Sequence, residues 1–211
     1  MMHIEFKECE PIGTNAYCVF DLASNAAILI DAPLGSYNWC QSLCKQHNCE
    51  LIAGLLTHGH WDHILDAHYF NKDKIPLYGH LADQMLFEKP ELMIEYAIPG
   101  IHMKSLKVDH WIAEDKLSLG TFALDVFEVP GHCPGSLMFY IEALNTAFVG
   151  DAIFAGGIGR CDLPGGNFDR LKNSIVQKIY TLPLETKLFP GHGPSTSVSH
   201  ERRSNPFVKI S

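Results

Sequence analysis

Apolar and polar positions along the chain change character in short bursts. Eight stretches predict β-strands: "HIEF", "NAYCVF", "AAILID", "ELIAGLL", "FALDVFEV", "LMFYIEA", "TAFVGD" and "KLFPG". Several alternate apolar with polar residues, as a half-covered strand does. "AAILI" and "LIAGLL" are continuously apolar, as in strands buried on both faces. Helical patterns lie between them. "SYNWCQSLCKQH" opens on Ser36, a residue suited to capping a helix. "NFDRLKNSIVQKIYTL" predicts Phe168, Leu171, Ile175 and Ile179 on one helical face. Strands and helices interleave without a linker-like segment, so residues 1–211 are expected to form a single α/β domain. Residues 88–112 carry mixed signals and fit either a mobile flap or an ordinary connection.

One strand pattern ends abruptly in polar chemistry. After "LIAGLL" come His58, His60, Asp62 and His63 in the stretch "THGHWDH". In an extended chain alternate side chains share a face, about 7 Å apart along the backbone, so His58 and His60 can converge on one ion. Asp62 and His63 are consecutive and splay differently; in the first turn of a helix they would serve a neighbouring position. A chain of this composition holds H-x-H-x-D-H by chance about 0.002 times, which sets accident aside.

Two ions need further ligands, and strand ends supply candidates. "PGHCPGS" (130–136) and "PGHGPST" (190–196) echo each other, presenting His132 and His192 on Pro-Gly turns after β-type runs. Asp151 ends the strand pattern "TAFVGD", and its two carboxylate oxygens could bridge a pair of cations. Asp31, ending "AAILID", could accept a proton from the far nitrogen of a ligand histidine, or simply form a turn. Thr57 could do similar work or satisfy the backbone. Arg160 and Asp162 in "GIGRCD" could pair with each other, or Arg160 could reach a substrate carboxylate. The remaining histidines (3, 47, 68, 80, 102, 110, 200) read as surface or satisfied core residues.

Composition narrows the setting. Apolar residues make up 46% of the chain, enough for a sizeable core, and the formal charge of −8 argues against nucleic acid or an anionic membrane as partner. The apolar runs fall short of a membrane span, and "MMHIEFKECE" lacks the apolar core of a secretory signal, so a cytoplasmic location is expected. Seven cysteines without CxxC spacing are expected to be reduced thiols. Cys40 and Cys44 read as small core residues. Cys133 and Cys161 read as packed residues, although Cys133 could in principle be a redox handle.

The motifs "THGHWDH" (57–63), "PGHCPGS" (130–136), "GD" (150–151) and "PGHG" (190–193) resemble, in order and spacing, those of the metallo-β-lactamase superfamily. That resemblance implies an αββα sandwich, two mixed β-sheets flanked by helices. It implies His58, His60 and His132 on a first metal, Asp62, His63 and His192 on a second, and Asp151 between them. Asp62 and Asp151 would then be the catalytic carboxylates beside a metal-bridging hydroxide. Two divalent ions are expected, zinc first, with iron or manganese possible. Within the superfamily, Trp61, "GDAIFAGGIGRCDLPGGN" (150–167) and "GHGPSTSVSHERRSNPF" (191–207) are similar to a short bacterial glyoxalase II-like (hydroxyacylglutathione hydrolase-like) group. Hydrolysis of a small-molecule thioester of the S-acylglutathione type is therefore expected. Full-length glyoxalase II carries a further helical domain that helps hold glutathione; here the sequence ends soon after His192. The alternatives are a mononuclear iron persulfide dioxygenase, whose "GRTD"-like segment resembles "GRCD", and a lactonase or β-lactamase-type hydrolase.

Overall fold

Side-chain alternation, the period-two signature of a strand, accounts for the layers in the computed structural model, which describes residues 2–209. The first sheet runs in order through β1 (Met2–Cys9), β2 (Thr14–Asp21), β3 (Ala26–Ile30), β4 (Glu50–Leu55), β5 (Leu77–Gly79) and β6 (His110–Trp111). Its first three strands pair antiparallel and its last four parallel. The second sheet contains β7 (Asp115–Leu119), β8 (Phe122–Glu128), β9 (Leu137–Ile141) and β10 (Thr146–Gly150) as an antiparallel meander. A small ribbon, β11 (Ile153–Phe154) with β12 (Gly157–Ile158), follows. Then β13 (Lys187–Pro190) joins β10 in parallel, with β14 (Thr196–Ser197) on its far edge.

The inward residues of both sheets form one buried cluster: Tyr17, Val19, Ile28 and Ile30 meet Leu137, Phe139, Ile141 and Phe148. Their neighbours in sequence point the other way. Cys18, Phe20 and Leu29 pack against Tyr37, Cys40 and Cys44 of α1 (Ser36–His47). On the opposite outer face, Met138, Tyr140 and Val149 pack against Leu171 and Ile175. The continuously apolar strands are thus explained: helices cover what the sandwich interior does not. The expected αββα order is the observed one. The shorter helices are α2 (Trp61–Ile64), α3 (His68–Asp73) and α4 (Gln84–Glu88), then α5 (Phe168–Gln177) and α6 (Val198–Ser204). Among the described residues, no helix is long and apolar enough to cross a membrane.

Two local expectations need correction. Ser36 does not cap α1; Gly35 holds the cap position in a left-handed conformation (φ 79°), and the Ser36 hydroxyl is buried without a hydrogen-bond partner. The cap position falls one residue before the serine, on a glycine that has no side chain to offer the helix. Phe168 is exposed, because it is the first residue of α5 and the buried face starts one turn later at Leu171. Residues 88–112 form a connection packed at several points. Met93, Leu106 and Val108 are buried, and the Leu106 amide donates to the Phe87 carbonyl at 3.0 Å.

Candidate metal centre

The polar cluster is assembled by strand ends. After β4 the backbone stays extended through His60 (φ −69°, ψ 145°) and then turns into α2, so Asp62 and His63 sit in the first helical turn. The His58 and His60 rings share a face, with His58 Nε2 3.1 Å from His60 Nδ1. The turn after β8 brings the His132 ring to 4.9 Å from His58 and 4.5 Å from His60, centroid to centroid. These three histidines offer ligand atoms within 4.8 Å of one another.

A second group lies alongside. Asp62 Oδ2 is 3.3 Å from His63 Nε2 and 3.2 Å from His192 Nε2. Asp151, immediately after β10, stands between the groups. Its Oδ1 is 3.3 Å from His63 Nε2, and its Oδ2 is 3.5 Å from both His132 Nε2 and His192 Nε2. Tetrahedral ligands about 2.0–2.1 Å from an ion stand about 3.3 Å apart, so the spacing suits shared cations. The chemistry also asks for them. His60 Nε2, His63 Nε2, His132 Nε2 and Asp151 Oδ1 are buried with no hydrogen-bond partner, a concentration of unsatisfied groups that interiors rarely tolerate. Backbone space is tight as well: a Cβ on Gly191 would overlap Asp151 Oδ1 and press on the His63 ring.

Electrostatics divides the cluster. Burial, reinforced by neighbouring histidines, pushes His58 far below the usual imidazole range and His60 down to about 3. Both are therefore neutral, the form that ligates a metal. Burial acts the same way on His63, but the carboxylates of Asp62, Asp151 and Asp31 outweigh it and hold that imidazole well above its usual value. His192 is likewise raised, because its hydrogen bond to Asp62 and the Asp151 charge overcome burial. Burial would raise Asp151; His63, His132 and His192 override it and hold the carboxylate well below its normal range. One end of the centre holds the neutral imidazoles of His58 and His60, and the other is a carboxylate-rich set that demands positive charge.

An outer layer orients the ring nitrogens. Asp31 adopts a left-handed backbone (φ 57°), uncommon for a residue with a side chain. Its carboxylate accepts from His63 Nδ1 at 2.7 Å, from the Thr57 amide at 2.8 Å and from the Thr57 hydroxyl at 2.8 Å. The Thr57 oxygen, its proton committed to Asp31, accepts from His58 Nδ1 at 3.0 Å. His132 Nδ1 donates to the Arg160 carbonyl at 2.7 Å. In all three rings these bonds turn Nε2 toward the cluster. The Arg160 guanidinium pairs with Asp162 through two 2.7 Å bonds on the surface, so Arg160 meets the ligands by its backbone.

Four contributors carried no recognisable signal in the chain. The Thr14 hydroxyl donates to Asp62 Oδ2 at 2.7 Å. Asn15 Nδ2 and the Tyr17 hydroxyl both donate to the Pro190 carbonyl and steady the turn bearing His192. Asp83 is buried at 1% exposure and accepts the Gly59 amide at 2.9 Å and the Gly135 amide at 2.7 Å. It also accepts the Cys133 thiol at 3.2 Å, which places that cysteine as a packed donor. Asp83 thus joins the loop of His58 and His60 to the loop of His132.

A two-sheet sandwich with a His/Asp cluster at strand ends defines a metal-dependent hydrolase class. The family model for the metallo-beta-lactamase superfamily matches residues 10–192, and the chain belongs to that superfamily. It is 38% identical over 201 residues to a probable metallo-hydrolase, YqgX, of Bacillus subtilis, covering 94% of this chain and 93% of that one. It is 32% identical to the hydroxyacylglutathione hydrolase GloC of Haemophilus influenzae, covering 98% of each. Among solved structures, the BLEG-1 B3 metallo-beta-lactamase superposes with a TM-score of 0.90 at 34% identity, covering 99% of this chain and 100% of that one. TTHA1623, solved in a di-iron-bound form, gives 0.83 at 33% identity, covering 97% and 100%. The chain is accordingly a metallo-hydrolase of this superfamily with a His/Asp metal-binding site.

Proposed function

We propose that the chain is a binuclear thioester hydrolase acting on substrates of the S-acylglutathione type. The observation that carries this reading is the pairing of the two ligand groups across Asp151, whose two oxygens face different histidines. The relationship to GloC, end to end in both chains, supports the thioester assignment. His58, His60 and His132 would hold one ion, and Asp62, His63 and His192 the other, with Asp151 serving both. Zinc suits this donor set, as do iron and manganese. A pair of divalent ions supplies a water of lowered pKa and a Lewis acid for the oxygen of the attacked carbonyl.

The chain's own groups do the rest. Asp31, Thr57 and the Arg160 carbonyl keep the far ring nitrogens protonated, so each ligand nitrogen stays free. Thr14 fixes the rotation of the Asp62 carboxylate. Asp62 and Asp151 both line the cavity, where they orient the attacking water. Trp61, Met93 and Leu163 are buried beside it and exclude bulk solvent from one side. The leaving thiolate derives from a thiol of pKa about 8.5, so it departs without a strong general acid. No serine or cysteine nucleophile is needed.

Metal analysis of untagged protein, combined with a substrate screen, tests this. Two metal equivalents per chain and turnover of S-lactoylglutathione without oxygen uptake are expected. One iron per chain with thiol-dependent oxygen consumption would replace the reading with the persulfide dioxygenase. The similarity to BLEG-1 makes a β-lactam the necessary competing substrate.

A further inference from the structure

The cavity over the centre is small and its far wall is apolar. It measures about 180 Å³, and besides the His and Asp side chains it is lined by Ile12, Trp61, Met93, Tyr96, Ile98 and Leu163, together with Arg160. The wall is also preformed. Trp61, Met93 and Leu163 are 4%, 3% and 8% exposed, and they pack with Leu65 into their own hydrophobic cluster. Ile12, Tyr96 and Ile98 remain partly open at the mouth.

Against this stands what an anionic tripeptide carrier requires. Glutathione bears two carboxylates and an ammonium. Arg160, the one Lys or Arg among the described lining residues, already has its guanidinium engaged by both oxygens of Asp162. The chain's formal charge of −8 adds no attraction for an anion.

We infer that this pocket recognises the acyl half of its substrate, as a compact apolar group, and leaves the thiol carrier in solvent. The inference rests on the thioester reading for its leaving group, but not for its pocket. The acyl carbon receives the attacking water oxygen, the carbon–sulfur bond breaks, the carrier leaves as thiolate and the acid as carboxylate, and the two protons of the water pass to solvent. Each methylene buried against the wall contributes about fourfold to kcat/KM until the space is full.

The test is a matrix of acyl groups and carriers with the metal-loaded enzyme. Acetyl, butyryl, hexanoyl and decanoyl thioesters are prepared on glutathione and on uncharged N-acetylcysteamine, with p-nitrophenyl esters of the same acids in parallel. Expected are a rise of more than tenfold from acetyl to butyryl and a carrier effect below about threefold. Met93→Glu, which places a charge in the wall, should flatten the chain-length dependence, while Met93→Leu restores it. A carrier effect larger than the acyl effect, or a flat acyl series, overturns the inference and leaves thioester hydrolysis standing. Hydrolysis of the oxyesters alone, with the same chain-length rise, overturns the thioester reading and leaves the acyl pocket standing.

Discussion

Asp83→Ala removes the link between the two loops that carry the all-histidine ligand group. The wild-type carboxylate accepts two backbone amides, from Gly59 at 2.9 Å and Gly135 at 2.7 Å, with the Cys133 thiol as a third donor. Hydrogen bonds to a charged group contribute about 1.5–3 kcal/mol each, and the variant strands both amides away from water. Burial raises the Asp83 pKa, which offsets part of that gain, and the lower end of the range is therefore appropriate. A loss of about 3 kcal/mol corresponds to roughly 6–12 °C in melting temperature for a chain of this size. The functional effect should be selective. Support groups of this kind change metal affinity about 10–100-fold, and under the proposed ligand assignment the change should fall on the ion between His58, His60 and His132. The Asp62, His63 and His192 group is held by Thr14 and Asp31 and should change far less. Thermal melting of metal-free protein, followed by competitive metal titration, reads both quantities. A melting point within about 2 °C of wild type, with both ion affinities intact, would refute the reasoning.

Further expectations follow from the same contacts. Asp151→Ala should lower metal content at both positions and reduce hydrolysis by at least about 10²-fold while the circular dichroism spectrum is retained; undiminished turnover would show that Asp151 does not join the two groups. The raised His63 and His192 must give up protons to bind an ion, whereas His58 and His60 are already neutral. Protons therefore compete at the carboxylate-rich position as pH falls, and dialysis from pH 8 to pH 6 should release that ion first; metal analysis showing the opposite order would contradict the electrostatic division. Thr14→Val removes one donor to Asp62 and should weaken that same ion about tenfold with little change in fold, measured by metal titration. Native thiol titration should find Cys49 and Cys161 reacting quickly and the five buried cysteines slowly, with Cys9 further protected because burial raises its pKa to about 11. Rapid modification of Cys133 would mean that its contact with Asp83 opens in solution.

The amino-acid order alone determined the chemistry at the strand ends. "THGHWDH", the two Pro-Gly turns and the aspartate after "TAFVG" are local patterns, and a strand that stops at a polar residue delivers that residue to the sheet edge whatever surrounds it. The eight predicted strands were legible for a similar reason: burial on one or both faces is written into neighbouring positions. Short strands such as β5, β6 and β14 were not, since two or three residues carry no period and owe their conformation to the longer strands beside them. Tertiary structure alone decided the partners. Asp83 is 24 residues from Gly59 and 52 from Gly135, and Thr14 is 48 from Asp62. Nothing local marks a carboxylate or hydroxyl whose acceptor or donor arrives from another loop. Only chain packing sets those distances, and with them the protonation of His58, His60, His63 and His192 and the room that remains above the centre.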